Sequence, residues 1–163
     1  MAEIGFYHLT RTGADHALPH LLGRTLAAGE RALVLCGNPE RLASLDAALW
    51  LCADPDWLPH GSADPGDADL QPIWLAAAPG AAGAPNGARF LFLLDGAECG
   101  RLELYDRVFD LFDGADAAAV QAARGRWASA RAAGHELTYW QQTGRGWERK
   151  AQVAARALDA GAS

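Results

Sequence analysis

Short apolar runs alternate along the chain with segments whose apolar residues recur every three or four positions. The runs cover residues 3–9, 31–36, 71–75, 89–94 and 107–112. The runs over residues 31–36 and 89–94 are nearly continuous in apolar residues, which is typical of strands buried on both faces of a parallel sheet. Two of the intervening segments repeat leucines with the spacing of one buried helix face. These are Leu18, Leu21, Leu22 and Leu26, then Leu42, Leu45 and Leu49. The alternation predicts a three-layer α/β fold, with an open, mostly parallel sheet and helices on both faces.

The most complete unit of this kind covers residues 107–143. A strand over 107–112 and another over 137–142 flank a segment of helical composition. Asp116 is placed to cap the helix at its amino end, and Gly134 suits the position just after its carboxyl end. The pattern predicts one strand–helix–strand unit.

Other parts of the chain are less regular. Residues 61–70 and 76–88 are rich in glycine, proline, alanine or aspartate, and we interpret them as loops. For residues 97–105 the sequence predicts a short, imperfect helix. After Gly146, the spacing of Ala151, Ala154 and Leu158 predicts a last helix that frays into the final residues.

The helix of the 107–143 unit carries one stripe of large side chains on a mostly alanine surface. At 100° per residue, Val120, Arg124, Trp127 and Arg131 fall within about 60° of one another. Tryptophan and arginine are the residues most enriched in binding hot spots, so the stripe indicates a pocket for a ligand both anionic and apolar. The alternative, a tryptophan in the core beside two solvated arginines, has similar weight on residue type alone.

Composition limits the possible functions. The 163 residues predict a single domain, 1–163, and a net charge of −6 argues against general nucleic-acid binding. There is no apolar run long enough for a membrane span and no room for a signal peptide, so we expect a cytoplasmic protein. The cysteines form no metal motif, and His16 and His20, four residues apart, lack a nearby third ligand. We therefore expect no metal and no cofactor.

Motifs of enzymatic chemistry are absent from the sequence. It contains no phosphate-binding loop of the G-x-x-x-x-G-K-[ST] type, no dinucleotide fingerprint after the first strand and no nucleophile elbow. Asp110 and Asp113 lie at a strand end, where open α/β sheets bind ligands. Strand alternation and a turn explain these two carboxylates better than a ligand site does, as a helix cap does for the neighbouring Asp116. The sequence favours a binding module over an enzyme.

A second candidate surface combines Trp50 with the turn-rich segment that follows it. Trp57, Pro59 and His60 lie in that segment, and the two tryptophans could form an exposed apolar patch. Closing the edge of the core is the alternative explanation.

The motifs resemble those of the chi subunit of the bacterial DNA polymerase III holoenzyme. They are FYHL, LDAALW with WLPHG, QPIWL, PNGARFLFLLDGA, RVFDLFDG, AVQAARGRW, AGHELTYWQQT and GWERKA, in that order. The resemblance implies a Rossmann-like fold without a working nucleotide site. It also implies an adaptor that links the clamp loader to single-stranded DNA-binding protein by gripping that protein's acidic C-terminal tail, which ends in phenylalanine.

The resemblance also assigns residues to partners. Arg124 and Trp127 match family positions in the tail-binding site, and helical geometry adds Val120 and Arg131. Trp50, Trp57, Pro59 and His60 match positions around the interface with the psi subunit, although another clamp-loader subunit could take that place. Contact with DNA is expected to be only indirect. The competing hypothesis is a small nucleotide- or cofactor-binding enzyme that uses Asp110 and Asp113.

Overall fold

The fold is an eight-stranded sheet with helices on both faces. The computed structural model describes residues 3–37, 39–51, 60–62, 72–77, 86–94, 96–97, 102–144 and 146–154. The strands are β1 Glu3–Leu9, β2 Ala32–Cys36, β3 His60–Ser62, β4 Ile73–Ala77, β5 Phe90–Leu94, β6 Arg107–Asp113, β7 Glu136–Thr143 and β8 Gly146–Val153. The helices are α1 Ala14–Ala27, α2 Pro39–Leu51 and α3 Ala117–Ala132.

The strand order is β3-β4-β2-β5-β6-β1-β7-β8, and every pairing is parallel except that of β7 with β8. Strand β1 lies between β6 and β7, so the β6–α3–β7 connection passes over it. The predicted α/β fold with a mostly parallel, Rossmann-like sheet is confirmed.

Alternating residues of each strand supply two cores. On one face, α1 and α2 cover a cluster that includes Phe109 and Leu111 of β6. On the other face, α3 covers a cluster that includes Val108 and Phe112 of the same strand. Successive strand residues point to opposite faces, so β6 contributes to both layers at once.

The predicted C-terminal helix is wrong for residues 146–153. These residues form β8, which runs antiparallel to β7, with Trp147 opposite Gln142 and Arg149 opposite Trp140. A glycine at each end of the connection, with Gly146 at φ 124°, allows a tight reversal of the chain. Strand β7 would otherwise present unpaired backbone groups at the sheet edge, and β8 pairs with them.

Two other local predictions need correction. Residues 61 and 62, at the start of the predicted loop over 61–70, belong instead to strand β3. This strand pairs with residues 73–75 of β4 at the other edge of the sheet. Within residues 97–105, the described part contains only a single 3-10 turn, Leu102–Leu104.

Candidate functional site

Helix α3 begins and ends where its sequence predicts. The Asp116 carboxylate accepts hydrogen bonds from the backbone N–H groups of Ala118 and Ala119, at 2.9 and 3.4 Å. Gly134 has φ 85°, a left-handed conformation that residues with a side chain rarely adopt. Ala123 and Ala130 are buried against the sheet, and their small side chains let the helix lie close to it.

A largely buried ion pair joins α3 to β6. The Arg126 Nε and Nη2 atoms donate to the two Asp110 carboxylate oxygens, at 2.6 and 2.9 Å. Burial raises the pKa of Asp110, and the hydrogen bonds and charge of Arg126 oppose that rise. Because Arg126 reaches inward to β6, the next stripe of the helix is directed toward β7 and solvent.

Trp127 is half-buried, so neither alternative derived from the sequence describes it fully. Its ring makes an edge contact with Phe6, at 5.4 Å between centroids, and another with Tyr139, at 6.1 Å. These contacts anchor part of the indole in the core. The remaining part stays at the surface between α3 and β7.

The two arginines beside Trp127 are exposed. Among the described residues, neither Arg124 nor Arg131 has a carboxylate within ion-pair distance, whereas Arg89, Arg107 and Arg126 each have one. Burial raises the pKa of Tyr139, and the Arg124 charge opposes this rise, so the two groups lie close enough to interact. Val120 is half-buried on the same stripe. We call Val120, Arg124, Trp127 and Arg131 the α3 face.

The structure adds two aromatic residues that the sequence did not single out. The Tyr139 hydroxyl hydrogen-bonds to His8 Nδ1 at 2.6 Å, and His8 stacks on Phe112 at 5.0 Å. Both residues lie in strands beside α3, and Tyr139 touches Trp127 directly. The only available signal was the aromatic pair Tyr139-Trp140 in the strand that follows the helix.

The second predicted surface is described only in part. Trp50 lies in the last turn of α2, and His60 begins the edge strand β3. Trp57 and Pro59 lie outside the described residues. The grouping of these four residues stays a prediction.

The strand-end carboxylates of the competing enzyme hypothesis have structural partners. Asp110 is bound by Arg126, and Asp113 accepts a hydrogen bond from the Ala115 N–H at 2.9 Å. The described residues contain no group of three His, Cys, Asp or Glu side chains that could hold a metal ion.

The loop between β1 and α1, where many α/β folds bind phosphate, is also occupied. The Gln142 side-chain oxygen accepts hydrogen bonds from three consecutive backbone N–H groups, those of Thr10, Arg11 and Thr12, at 3.0–3.1 Å. A cluster of backbone amides of this kind attracts anions. Here the Gln142 side chain already satisfies those three amides, so they are not available to cradle a phosphate.

The family model for the DNA polymerase III chi subunit, HolC, matches residues 1–138. The chain belongs to the chi-subunit family. The match covers β1 to the start of β7 and includes all of the α3 face, whereas β8 lies beyond it. A search of curated proteins returns no match for the chain.

Membership makes the protein an accessory subunit of DNA polymerase III, a multi-subunit replication enzyme. Within the residues that the structure describes, no helix is long and apolar enough to cross a membrane.

Proposed function

We propose that the protein is a non-catalytic replication adaptor whose α3 face binds the acidic C-terminal tail of single-stranded DNA-binding protein. The observation that carries the proposal is a pair of exposed arginines, Arg124 and Arg131, with the half-buried Trp127 between them. Neither arginine has a carboxylate partner among the residues that the structure describes. The chain as a whole carries a net charge of −6, so these two arginines form a local region of positive charge.

The chemistry of the α3 face complements such a tail. Guanidinium groups form paired, charge-assisted hydrogen bonds with carboxylates, both those of acidic side chains and that of the chain terminus. The exposed part of Trp127, with Val120 and Tyr139 beside it, offers an apolar and aromatic surface to a terminal phenylalanine ring. Since the arginines are exposed, salt should weaken the electrostatic part of the binding.

The adaptor role requires a second contact, with the clamp loader. We propose that Trp50, Trp57, Pro59 and His60 contribute to it and that the partner is the psi subunit or another clamp-loader subunit. On this proposal the protein works in the cytoplasm and reaches DNA chiefly through the DNA-binding protein.

The test is a titration of a fluorescent acidic peptide ending in phenylalanine against the full chain and its Arg124→Ala variant. The loss of one charge-assisted contact should cost roughly 1.5–3 kcal/mol, a weakening of about tenfold or more. Replacing the terminal phenylalanine of the peptide by alanine should also weaken binding, because the ring would no longer cover Trp127.

Arg89→Ala is the matched control. Arg89 is exposed and forms an ion pair with Asp106 at 2.6 Å, away from α3, so its removal should leave the affinity unchanged. Equal affinities for the wild type and Arg124→Ala would refute the α3 face as the tail site.

A further inference from the structure

A groove lies on the face of the sheet opposite α3, between α1 and the β7–β8 hairpin. Its volume is about 650 Å³, within the range of ligand-binding clefts. His16, His20 and Arg24 line it from successive turns of α1, Thr143 and Trp147 line it from the hairpin, and Arg11 lies at one end. No described residue that lines this groove is acidic.

Two arginines, Arg11 and Arg24, line the groove. The Arg11 guanidinium lies over Gly144 of the hairpin turn, about 3.5 Å from where a Cβ atom would be. Arg24 is exposed, and its charge acts on the buried Tyr7. Within the described part of the chain, neither arginine has a carboxylate within ion-pair distance.

The sheet beside α1 presents aromatic rings on the same side. Trp147 makes an edge contact with Tyr7 at 5.1 Å, and Trp140 stacks on Tyr7 at 6.2 Å. Both indoles are half-buried, since α1 does not cover this end of the sheet completely. Arg149 pairs opposite Trp140, so its side chain emerges on the side of Trp140 and Trp147.

We propose that this groove binds a single strand of nucleic acid directly, with phosphates at Arg11 and Arg24 and a base against Trp147. Grooves of this type combine spaced positive charges that follow the backbone with aromatic rings on which bases stack. An acidic tail offers a single ring at its end, whereas each nucleotide of a strand offers both a phosphate and a base to the arginines and to the indoles of Trp140 and Trp147. The observations therefore favour a nucleic acid.

The proposal extends what composition alone indicates. A net charge of −6 predicts that DNA contact is only indirect, but the fold brings Arg11 and Arg24 to one groove, where no residue of the described lining is acidic. The groove depends on β8, which lies beyond the region matched by the family, and it is on the other side of the sheet from the α3 face. The two proposals can therefore fail separately.

The test uses the full chain and a fluorescein-labelled oligothymidylate, with binding measured by fluorescence anisotropy over a range of salt concentrations. Arg11→Glu and Arg24→Glu should each weaken binding about tenfold or more, and each lost phosphate contact should reduce the slope of log affinity against log salt by roughly 0.7. Trp147→Leu keeps apolar packing on Tyr7 but removes stacking, and should weaken binding roughly tenfold. Circular dichroism verifies that each variant is folded.

The α3 face supplies the matched control. Arg124→Glu should leave oligonucleotide affinity unchanged, and Arg24→Glu should leave tail-peptide affinity unchanged. The proposal is overturned if the wild type and the Arg11→Glu/Arg24→Glu double variant bind the oligonucleotide equally. It is also overturned if polyglutamate displaces the oligonucleotide as effectively as unlabelled oligothymidylate does, since the groove would then be a site for acidic peptides.

Discussion

Removing Arg126 should destabilise the protein strongly, because its partner carboxylate is buried. Asp110 is only 2% exposed, and the Arg126 side chain is 18% exposed. Breaking a buried pair by deleting one member leaves an uncompensated charge and costs 3–5 kcal/mol in other proteins. Since Arg126 keeps some contact with water, we expect Arg126→Ala to lower the free energy of unfolding by about 3 kcal/mol at neutral pH. The total free energy of unfolding of a typical domain is only about 5–15 kcal/mol.

The loss should depend on pH in a defined direction. Burial already raises the pKa of Asp110 in the folded wild type, and Arg126 opposes this rise. Without Arg126 the folded-state pKa should rise further, so the folded variant holds its proton to higher pH than the unfolded chain does. A group whose pKa is raised by folding contributes stability at pH values below its unfolded-state pKa. That contribution is lost as the pH rises through its folded-state pKa. The deficit of Arg126→Ala should therefore be larger at pH 7 than near pH 5.

The assay is urea unfolding followed by circular dichroism, at both pH values, for the wild type and two alanine variants. Arg89→Ala is the control, because the Arg89–Asp106 pair has side chains 64% and 51% exposed and should contribute less than about 1 kcal/mol. If Arg126→Ala were no more destabilising than Arg89→Ala, the buried pair would not be what holds α3 on β6. A deficit independent of pH would contradict the electrostatic explanation.

Two further predictions concern glycine packing and tyrosine ionisation. Gly114→Ala should destabilise by roughly 1–3 kcal/mol, because the new Cβ would overlap the His8 ring and lie 2.6 Å from the Leu9 carbonyl oxygen. At Gly125 of α3, an added Cβ would meet no atom of another element within 4 Å. Gly125→Ala should therefore stabilise the protein by about 0.5–1 kcal/mol, and thermal unfolding of both variants would test the contrast. Burial raises the pKa of Tyr7 from the ordinary value of 10.0 to about 12. The folded protein therefore gains stability from protonated Tyr7 below pH 10, and this gain is lost between pH 10 and 12. Urea unfolding at pH 9 and 11 should show the wild type losing about 1.3 kcal/mol more than Tyr7→Phe, and equal losses would contradict the assigned burial.

The alternation of strand β7 relates the two proposed sites. Tyr139 turns toward α3 and contacts Trp127, whereas Trp140 turns toward the α1 side and stacks on Tyr7. Consecutive residues of one strand thus contribute to binding surfaces on opposite faces of the sheet. Two ligands bound at these places would be separated by the thickness of the sheet.

The elements best predicted from sequence are those with local causes. The strand–helix–strand unit over residues 107–143 follows from apolar runs, from the Asp116 cap and from Gly134, each of which acts within a few residues. The helical stripe of the α3 face follows from the same local geometry. Residues 146–153 were predicted incorrectly because β8 depends on pairing with an exposed sheet edge, and no local periodicity reports such a partner.

The α/β class, the family and the four residues that share one side of α3 all follow from the amino-acid sequence alone. It could not determine whether Trp127 lies in the core or at the surface. That depends on tertiary contacts, since Phe6 and Tyr139 approach the indole from the two neighbouring strands β1 and β7 beneath α3. The groove between α1 and β8 likewise exists only after folding, when Arg11 and Trp147 come together from distant parts of the chain. Helix periodicity is a local property of the backbone, whereas burial and charge clustering depend on contacts between segments far apart in sequence.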